Sequence, residues 1–469
     1  MNSEKRATKK RALQKMELLG STSIPKALLA MGIPTMVGML VNAFYNLVDA
    51  YFVSGLGESQ MGAISVVYPL GQVVVGLGLL FGNGAASYIS RLLGRGDKEN
   101  ADKVASTALY SSVSVGAVII IISMVFLHPI LKLLGATDSI LPYAATYAGI
   151  YIVSCIFNVF NVTMNNIVTS EGAAKTTMCA LLTGAVLNIA LDPLFIYVFD
   201  LGVAGAAIAT AISQVVSTCV YLTYIFRKKS VFHFRVKDCT YTKETMSEIF
   251  KIGIPTLVFQ ILTSVSISLI NNAAGDYGDS AIAGMGVVTR LISMGSLSVF
   301  GFIKGFQPIA GYSYGAKKFD RLREAIKTSI LWSTVFCVIF GVILALFPTA
   351  IVSQFTKGDA EMIRIGAASL RANGISIMLF GFYTVYSSLF LALGKGREGF
   401  ILGACRQGIC FIPVILLLPM VWGLNGIMYA QPIADVLSAV ITIFMAIPLH
   451  KKLNEMQKQT SAISKKDND

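Results

Sequence analysis

Residues 24–54 read IPKALLAMGIPTMVGMLVNAFYNLVDAYFVS and contain only two charged side chains, Lys26 and Asp49. A bilayer core about 30 Å thick is crossed by about 20 apolar residues in a helix, so this stretch predicts a membrane-spanning helix. It also contains Pro34, which removes a backbone hydrogen bond. A carboxylate such as Asp49 is costly inside a membrane and is rarely kept there without a function.

The whole chain of 469 residues shares this composition, with 55% hydrophobic and only 13% charged residues. Soluble globular domains average about 25% charged residues. The composition excludes a disordered chain, a coiled coil and a secreted disulfide module, and it argues strongly against a soluble enzyme. The seven cysteines form no CxxC pair, so neither a zinc site nor a disulfide framework is indicated. We expect an all-α integral membrane protein.

Apolar runs between polar breaks predict twelve transmembrane helices. They cover 24–54, 61–92, 104–128, 142–169, 175–199, 202–226, 248–274, 281–314, 325–350, 362–393, 398–421 and 424–449. With the N-terminus inside, 31 of the 38 Lys and Arg residues fall on inner segments or the adjoining inner ends of spans, and three on outer loops or an outer span end. This asymmetry follows the positive-inside rule and predicts both termini in the cytoplasm of a cell-membrane protein. It also explains the net charge of +13 without a nucleic acid.

The sequence Gly-Ile-Pro-Thr at 32–35 recurs at 253–256, an offset of 221 residues. Further pairs at this offset are Gly57 and Gly278, Gly94 and Gly315, Gly202 and Gly423, and Gly205 and Gly426. The repeat predicts an N-terminal lobe at 1–226, a cytoplasmic linker at 227–247 and a C-terminal lobe at 248–469. Since each lobe holds six spans, the two insert in the same orientation as parallel repeats around a central cleft. This architecture is typical of a carrier with alternating access.

Acidic and amide side chains inside the N-terminal lobe are the candidate cation-coupling residues. They are Asp49 in the first span, Asn165 in the fourth, Asn188 and Asp192 in the fifth, and Thr210 in the sixth. Asn188 and Asp192 are one helical turn apart and share a face. Carboxylate, amide and hydroxyl oxygens suit Na⁺, or a proton shared between the two acids. At the repeat offset the C-terminal lobe has no equivalent acids, so we expect coupling to reside in the N-terminal lobe.

A second set of residues could line an apolar, aromatic cleft for amphipathic ligands. The candidates are Met39, Tyr45, Tyr147, Met164, Arg290 and Lys304. Arg290 and Lys304 lie fourteen residues apart, close to four helical turns, and so share a face from which they could line the cleft or pair with an acid. For Arg371 and Arg406, anchoring at the membrane edge is an equally good interpretation. Pro34 is a candidate hinge through which protonation of Asp49 could be coupled to gating.

These residues resemble multidrug and toxic compound extrusion (MATE) transporters, and within them the bacterial DinF-type branch. The resemblance covers about residues 20–450 and is carried by the Pro34 to Asp49 spacing, the Asn188-xxx-Asp192-Pro193 string and the glycines that open the last span of each half. It implies Asp49 and Asp192 as the acids of an N-lobe cation site. It further implies Asn188 and Thr210 as coordinating partners, Asn165 as a neighbouring polar residue, and Tyr45 and Tyr147 in the same pocket.

The predicted function is export of amphipathic, often cationic organic compounds and drugs, driven by antiport of H⁺ or Na⁺. The alternative is a flippase for a lipid-linked saccharide or related lipid. No HExxH, P-loop or GxSxG motif is present, so an enzyme is not expected. We expect no cofactor beyond the coupling ion, with Asp49, Asn188, Asp192 and Thr210 as the candidate Na⁺ ligands. The expected partners are small organic molecules and the lipid bilayer, and the protein is expected to act as a monomer.

Overall fold

A computed structural model describes residues 2–356 and 359–466, and their side chains except those at 2–9, 54, 58, 61, 279 and 461–466. The described residues form helices and connecting turns, without a β-strand. Twelve of these helical segments are long and apolar enough to cross a bilayer. The predicted all-α membrane fold is therefore confirmed. We number the spans 1 to 12 in chain order.

Spans 1 to 6 form the first half of the bundle. Their helices are Ile24–Ser54, Glu58–Gly94, Lys98–Val125, Leu141–Ser170, Ala174–Pro193 with the π-helical turn Leu194–Val198, and Gly202–Phe226. Span 3 begins six residues before its predicted start because Asp97 accepts a hydrogen bond from the backbone N–H of Asn100 and caps the helix. A polar first turn extends a helix beyond the apolar run that hydropathy detects.

Spans 7 to 12 form the second half. Their helices are Lys243–Gly275, Asp279–Gly315, Phe319–Leu346, Ala360–Ser376 continued by Phe380–Ala392, Gly396–Ala404 continued through a π-turn by Phe411–Trp422, and Leu424–Lys466. Span 7 begins earlier than predicted because the Thr242 side chain caps it. Between the halves, residues 227–242 are largely irregular and pack on span 3, where the hydroxyl of Ser106 donates to the carbonyl of His233 at 3.0 Å.

Both ends of the chain lie on one side of the bundle, which we call the terminal side. The N-terminal helix Asn2–Gly20 ends beside the start of span 9, where the Arg321 guanidinium donates to the Leu19 carbonyl at 3.2 Å. The extension of span 12 reaches the same place, because Gln457 donates to Asp320 at 2.6 Å. This arrangement agrees with an even number of spans.

The halves meet through two pairs of helices related by the repeat. Span 1 packs on span 8, and span 2 packs on span 7. Spans 2 and 8 also cross at the terminal side, where a Cβ on Gly94 would meet the Tyr312 carbonyl and one on Gly315 would meet the Arg91 carbonyl. These two contacts are equivalent under the 221-residue offset. The absence of side chains at both glycines lets the two backbones touch.

Polar contacts close the terminal side between the halves. Arg91 in span 2 forms an ion pair of 2.6 Å with Glu248 in span 7, and the Ser87 hydroxyl donates to the Leu391 carbonyl at 2.6 Å. Asn83 donates to Thr256 at 2.9 Å. Toward the opposite side, Tyr51 and Tyr68 are mostly exposed. The halves are also joined farther from the chain ends, where the Gln260 amide of span 7 donates to Gln72 of span 2 at 2.6 Å.

The N-terminal helix binds both halves at once. Lys15 donates to the fully buried Glu171 at the turn between spans 4 and 5, and both side chains contact the hydroxyl of Tyr224. At the end of the same helix, Lys318 of the second half donates to the Gly20 carbonyl at 2.8 Å. Cations at a helix C-terminus donate hydrogen bonds to the carbonyls that have no partner within the helix, and they interact favourably with the helix dipole. We call this helix, with the turn to Thr22, the terminal strap.

We predict that Glu171→Gln destabilises the protein, because the ammonium of Lys15 loses the only carboxylate within ion-pair distance of it among the described side chains. Breaking a buried ion pair by neutralising one partner costs about 3–5 kcal/mol in the free energy of unfolding. The measurement is the apparent melting temperature of the purified protein. Glu99→Gln is the matched control, since its pair with Lys103 is solvent-exposed. Equal melting temperatures for the two variants would contradict the assignment.

Candidate functional site

Spans 1 and 5 bring two carboxyl groups together inside the first half. Asp192 is fully buried in the last turn of Ala174–Pro193, and the carboxyl of Asp49 from span 1 lies within hydrogen-bonding reach of it. Asn188, one turn earlier, donates its amide to Asp192 Oδ1 at 3.3 Å and lies 3.5 Å from the Thr210 hydroxyl. Four of the five predicted cation-coupling residues therefore form one cluster.

Several oxygens of this cluster have no donor. Asp49 Oδ1, Asp192 Oδ2 and Asn188 Oδ1 are buried, and no group among the described residues donates to them. A buried acceptor without a partner costs about 1–3 kcal/mol. Two carboxyls in hydrogen-bonding contact can satisfy one another only if they hold a proton, and oxygen ligands also fit a hard cation. The cluster has the chemistry of a proton or Na⁺ site.

The backbone at this site departs from a regular α-helix. Pro193 follows Asp192, and the next turn, Leu194–Val198, is π-helical and ends with the Phe199 N–H bonded to the Leu194 carbonyl at 2.9 Å. Tyr197 in this turn donates to the Phe52 carbonyl of span 1 at 2.5 Å. π-Turns inside helices occur frequently at functional sites. Here the turn joins the two acid-bearing spans at their ends remote from the terminal side.

Asn165 does not belong to the acid cluster, so that prediction needs correction. Its carbonyl oxygen accepts a hydrogen bond from Lys304 of span 8, and its amide donates to the Tyr221 hydroxyl at 3.3 Å. Asn165 precedes the terminal-side end of span 4 by five residues, whereas Asp192 follows the terminal-side start of span 5 by eighteen. At 1.5 Å per residue, the two side chains differ in depth by about 20 Å.

The predicted cleft residues are divided between different environments. A cavity of about 450 Å³ lies mainly within the second half, and Met39 and Lys304 line it. The other four candidates do not. Tyr45 lies beside Asp49 and Asp192; Tyr147 stacks on Tyr151 in the packed core of the first half; Met164 is completely buried; Arg290 is exposed on the surface.

Span 1 is a continuous helix through Pro34, so the structure contains no break at the predicted hinge. The hydroxyl of Thr35 donates to the carbonyls of Met31 at 2.8 Å and Gly32 at 3.0 Å, within the turn that the proline interrupts. Span 8 touches the backbone here, because a Cβ on Gly305 would meet Met31 and Gly32. The hinge role of Pro34 stays a prediction.

Sequence reasoning missed a buried ion pair in the second half. Arg406, in the π-turn of span 11, donates its Nε to Asp435 of span 12 at 3.0 Å, and both residues are buried. Ser376, Tyr383 and Gln431 also donate to Asp435. Anchoring of Arg406 at the membrane edge is therefore excluded. The sequence feature that could have indicated this pair is Asp435, the one charged residue in the predicted span 424–449.

Asp435 differs from the acids of the first half in how its charge is satisfied. Four side chains donate to its carboxylate, including a guanidinium, whereas Asp49 and Asp192 retain buried oxygens without donors. A carboxylate that is fully paired and hydrogen-bonded gains little from an added cation. The chemistry suited to cation binding thus lies in the first half.

A twelve-span helical bundle with duplicated halves and a large internal cavity has the architecture of a membrane transporter. The sequence profile of the MatE family matches residues 34–194 and 255–417, and the two matches begin 221 residues apart. Together they cover more than half of the chain. The chain belongs to the MATE family, as the sequence analysis predicted.

Curated relatives and solved structures agree. The chain is 32% identical over 429 residues to multidrug export protein MepA of Staphylococcus aureus strain MSSA476, covering 91% of this chain and 94% of the relative. It is 31% identical over 433 residues to MepA of Staphylococcus saprophyticus, covering 92% and 95%. A crystal structure of MATE in complex with MaL6 superposes with a TM-score of 0.89 at 26% identity, covering 94% of this chain and 99% of the other.

A second solved structure, the outward-facing conformation of a multidrug resistance MATE family transporter of the MOP superfamily, superposes with a TM-score of 0.88 at 26% identity, covering 94% and 98%. The fold is thus shared across nearly the full length of both proteins. The relatives that this chain matches are transporters, and the chain is a multi-pass membrane protein.

We predict that thiols placed at the two acids can be cross-linked. In a variant that lacks the seven native cysteines, the double substitution Asp49→Cys/Asp192→Cys should react with a short bifunctional thiol reagent, because the two side chains are in contact. Asn165→Cys/Asp192→Cys should not react, since about 20 Å separates their depths. Mass spectrometry of the linked peptides measures the yield. Equal yields in both variants would refute the described cluster.

Proposed function

We propose that the protein is a multidrug exporter that takes up H⁺ or Na⁺ in exchange for amphipathic, often cationic organic compounds. The observation that carries the proposal is the buried contact between Asp49 and Asp192, with acceptor oxygens that no protein donor satisfies. Binding a cation there lowers the cost of burying two acids. The names of the curated relatives, multidrug export protein MepA, support the export of drugs.

Coupling would be transmitted by span 1, which contacts both the acids and the second half. Asp49 faces span 5, while the turn around Pro34 lies against the backbone of span 8 at Gly301 and Gly305. A cation that neutralises Asp49 and Asp192 changes the electrostatic interaction between span 1 and span 5. Bending near Pro34 would then alter the contact with span 8 and so the relative position of the halves.

The transport cycle would alternate the side on which the cleft opens. In the described state hydrogen bonds and an ion pair join the halves from the chain ends to the middle of the bundle, and Tyr51 and Tyr68 toward the other side are exposed. With both termini in the cytoplasm, as the basic residues favour, this state would release drugs outward and admit the coupling cation. Residues 1–226 and 248–469 would rock as two units within a monomer in the cell membrane.

The charge of the drug decides whether the membrane potential drives such an exchange. For a neutral drug exchanged one-for-one with H⁺ or Na⁺, one elementary charge crossing 100 mV contributes about 2.3 kcal/mol, about a fiftyfold concentration ratio. The same exchange with a monocationic drug moves no net charge, so only the concentration gradient of H⁺ or Na⁺ drives it. Asp49, Asn188, Asp192 and Thr210 would hold the cation when it is Na⁺, and the two acids would share it when it is a proton. A lipid-linked saccharide flippase remains the alternative.

We predict that Asp49→Asn and Asp192→Asn each reduce drug efflux by about tenfold or more, because the amide that replaces one carboxyl neither takes up a proton nor contributes a negative charge that attracts Na⁺. The measurement is efflux of a fluorescent drug from cells with matched expression. Asp276→Asn, at an exposed carboxylate beyond the end of span 7, is the control and should retain efflux. Wild-type efflux in both variants would contradict the assignment of Asp49 and Asp192 as the residues that bind the coupling cation.

We further predict that purified protein in proteoliposomes moves drugs under an imposed H⁺ or Na⁺ gradient, and that the cation bound by Asp49 and Asp192 decides which gradient works. The two gradients are applied separately, with the membrane potential clamped. Drug movement that ignores both gradients would contradict antiport. Gradient-independent movement of a lipid-linked saccharide, without drug movement, would favour the flippase.

A further inference from the structure

The large cavity of the second half has an unusual charge. Its lining includes two charged side chains, Lys304 from span 8 and Arg406 from span 11, and no carboxylate among the described residues. Lys304 lies eleven residues from the terminal-side end of its span, and Arg406 lies ten residues from the terminal-side start of its own. At 1.5 Å per residue, both cations lie about 15–17 Å deep in the bundle.

Lys304 lacks a counterion. Its ammonium donates to the carbonyl oxygen of Asn165, and none of the ion pairs among the described residues includes it. An ammonium has three donors, so this neutral contact leaves donors for another partner. A cation within a membrane is costly unless an anion or several acceptors accompany it. The ammonium of Lys304 is therefore suited to bind a negatively charged group.

Arg406 has a carboxylate behind it and free donors toward the cavity. Among the described contacts, its Nε alone is hydrogen-bonded, to Asp435, and the guanidinium carbon lies 4.5 Å from the centre of the Phe380 ring. A guanidinium has five N–H donors in a planar fork. Asp435 does not line the cavity, so a ligand meets the arginine and not its counterion.

The remaining walls fit the apolar body of an amphiphile. Phe259, Ile267, Met285 and Phe300 line the cavity, and amides such as Gln260 and Gln407 add neutral polar groups. Pockets of this kind bind organic molecules mostly by apolar burial and orient them with a few polar groups. Asp49 and Asp192 are absent from the lining.

We propose that this cavity binds amphipathic compounds by an anionic group, a carboxylate, sulfonate or phosphate, which binds to Lys304; Arg406 lines the same cavity at a similar depth and offers further N–H donors. Compounds that carry both charges qualify through their anionic end. This inference rests on the export function proposed above and adds to its substrates: organic anions and zwitterions bind in this cavity by their anionic group. The same chemistry is offered by a free organic anion and by the phosphate of a lipid.

The test compares a fluorescent aromatic carboxylate with its methyl ester, which lacks the negative charge and carries one additional methyl group. We expect purified wild-type protein to bind the carboxylate about tenfold or more tightly than the ester, as charge-assisted hydrogen bonds allow. Lys304→Gln should abolish that preference without weakening the ester. Arg371→Gln, which removes an exposed arginine of span 10 outside the cavity lining, is the matched control and should keep the preference.

Arg406 requires a paired substitution, because its removal alone would leave Asp435 buried with an uncompensated charge. Arg406→Gln/Asp435→Asn removes both charges and should also reduce the preference for the carboxylate. Size-exclusion profiles and melting temperatures identify variants that fold. A wild-type protein that binds the ester equally or better, or a folded Lys304→Gln variant that loses both ligands equally, overturns the proposal.

Competition by short-chain phosphatidic acid identifies the source of the anionic group. Displacement of the carboxylate by this lipid at lower concentration than by a soluble aromatic sulfonate assigns a lipid headgroup, and the reverse order assigns a free organic anion. Failure of the export proposal is separable from failure of this one. Binding is measured without a gradient, so a carboxylate preference without drug transport would refute export alone.

Discussion

A polar side chain inside the hydrocarbon layer has no bulk water to bond, so each buried charge must find its partner within the protein or bring one in. The buried charges of this transporter meet that constraint in different ways. Asp435 is surrounded by donors and paired with Arg406. Asp49 and Asp192 share a contact that needs a proton or cation. Lys304 has only a neutral amide. The carboxylate of Asp435 thus has all its partners within the protein, whereas we expect ions and ligands to bind where partners are lacking, at Asp49, Asp192 and Lys304.

The duplication determines how the halves can meet. Helices related by the 221-residue offset form equivalent crossings, and at the terminal side Gly94 and Gly315 bring main chains together without intervening side chains. A contact between two glycine-bearing backbones is a flat surface with little to interlock. It can separate and re-form with less rearrangement than an interface of interdigitated large side chains.

Helix number and repeat could be read from the sequence because they depend on long apolar runs and on residues at a constant offset. The starts of spans 3 and 7 were placed late, since Asp97 and Thr242 cap helices with polar turns that hydropathy ignores. Asn188 and Asp192 could be grouped because one helical turn separates them. Asn165 was misassigned because the sequence shows that it lies in the first half but not how deep in the bundle it lies. Its depth relative to Asp192 follows only from the opposite directions of spans 4 and 5.

Residues that face a cavity were harder to identify than residues that carry charge. Tyr147 and Met164 have the composition of a ligand pocket but are buried in the core, since helix periodicity does not reveal which neighbour a face meets. Arg406 and Asp435 come from different spans, and their pairing needs a tertiary contact that no local spacing encodes.

The terminal strap is the part of the molecule that breaks its internal symmetry. Lys15 holds one half through Glu171, and Lys318 and Arg321 of the other half hold the end of the same short helix. A motion that separates the halves on this side must break the contacts of the strap with one of them. In the alternating cycle proposed above, the strap would therefore raise the barrier for opening on this side, but it would not raise the barrier for closure.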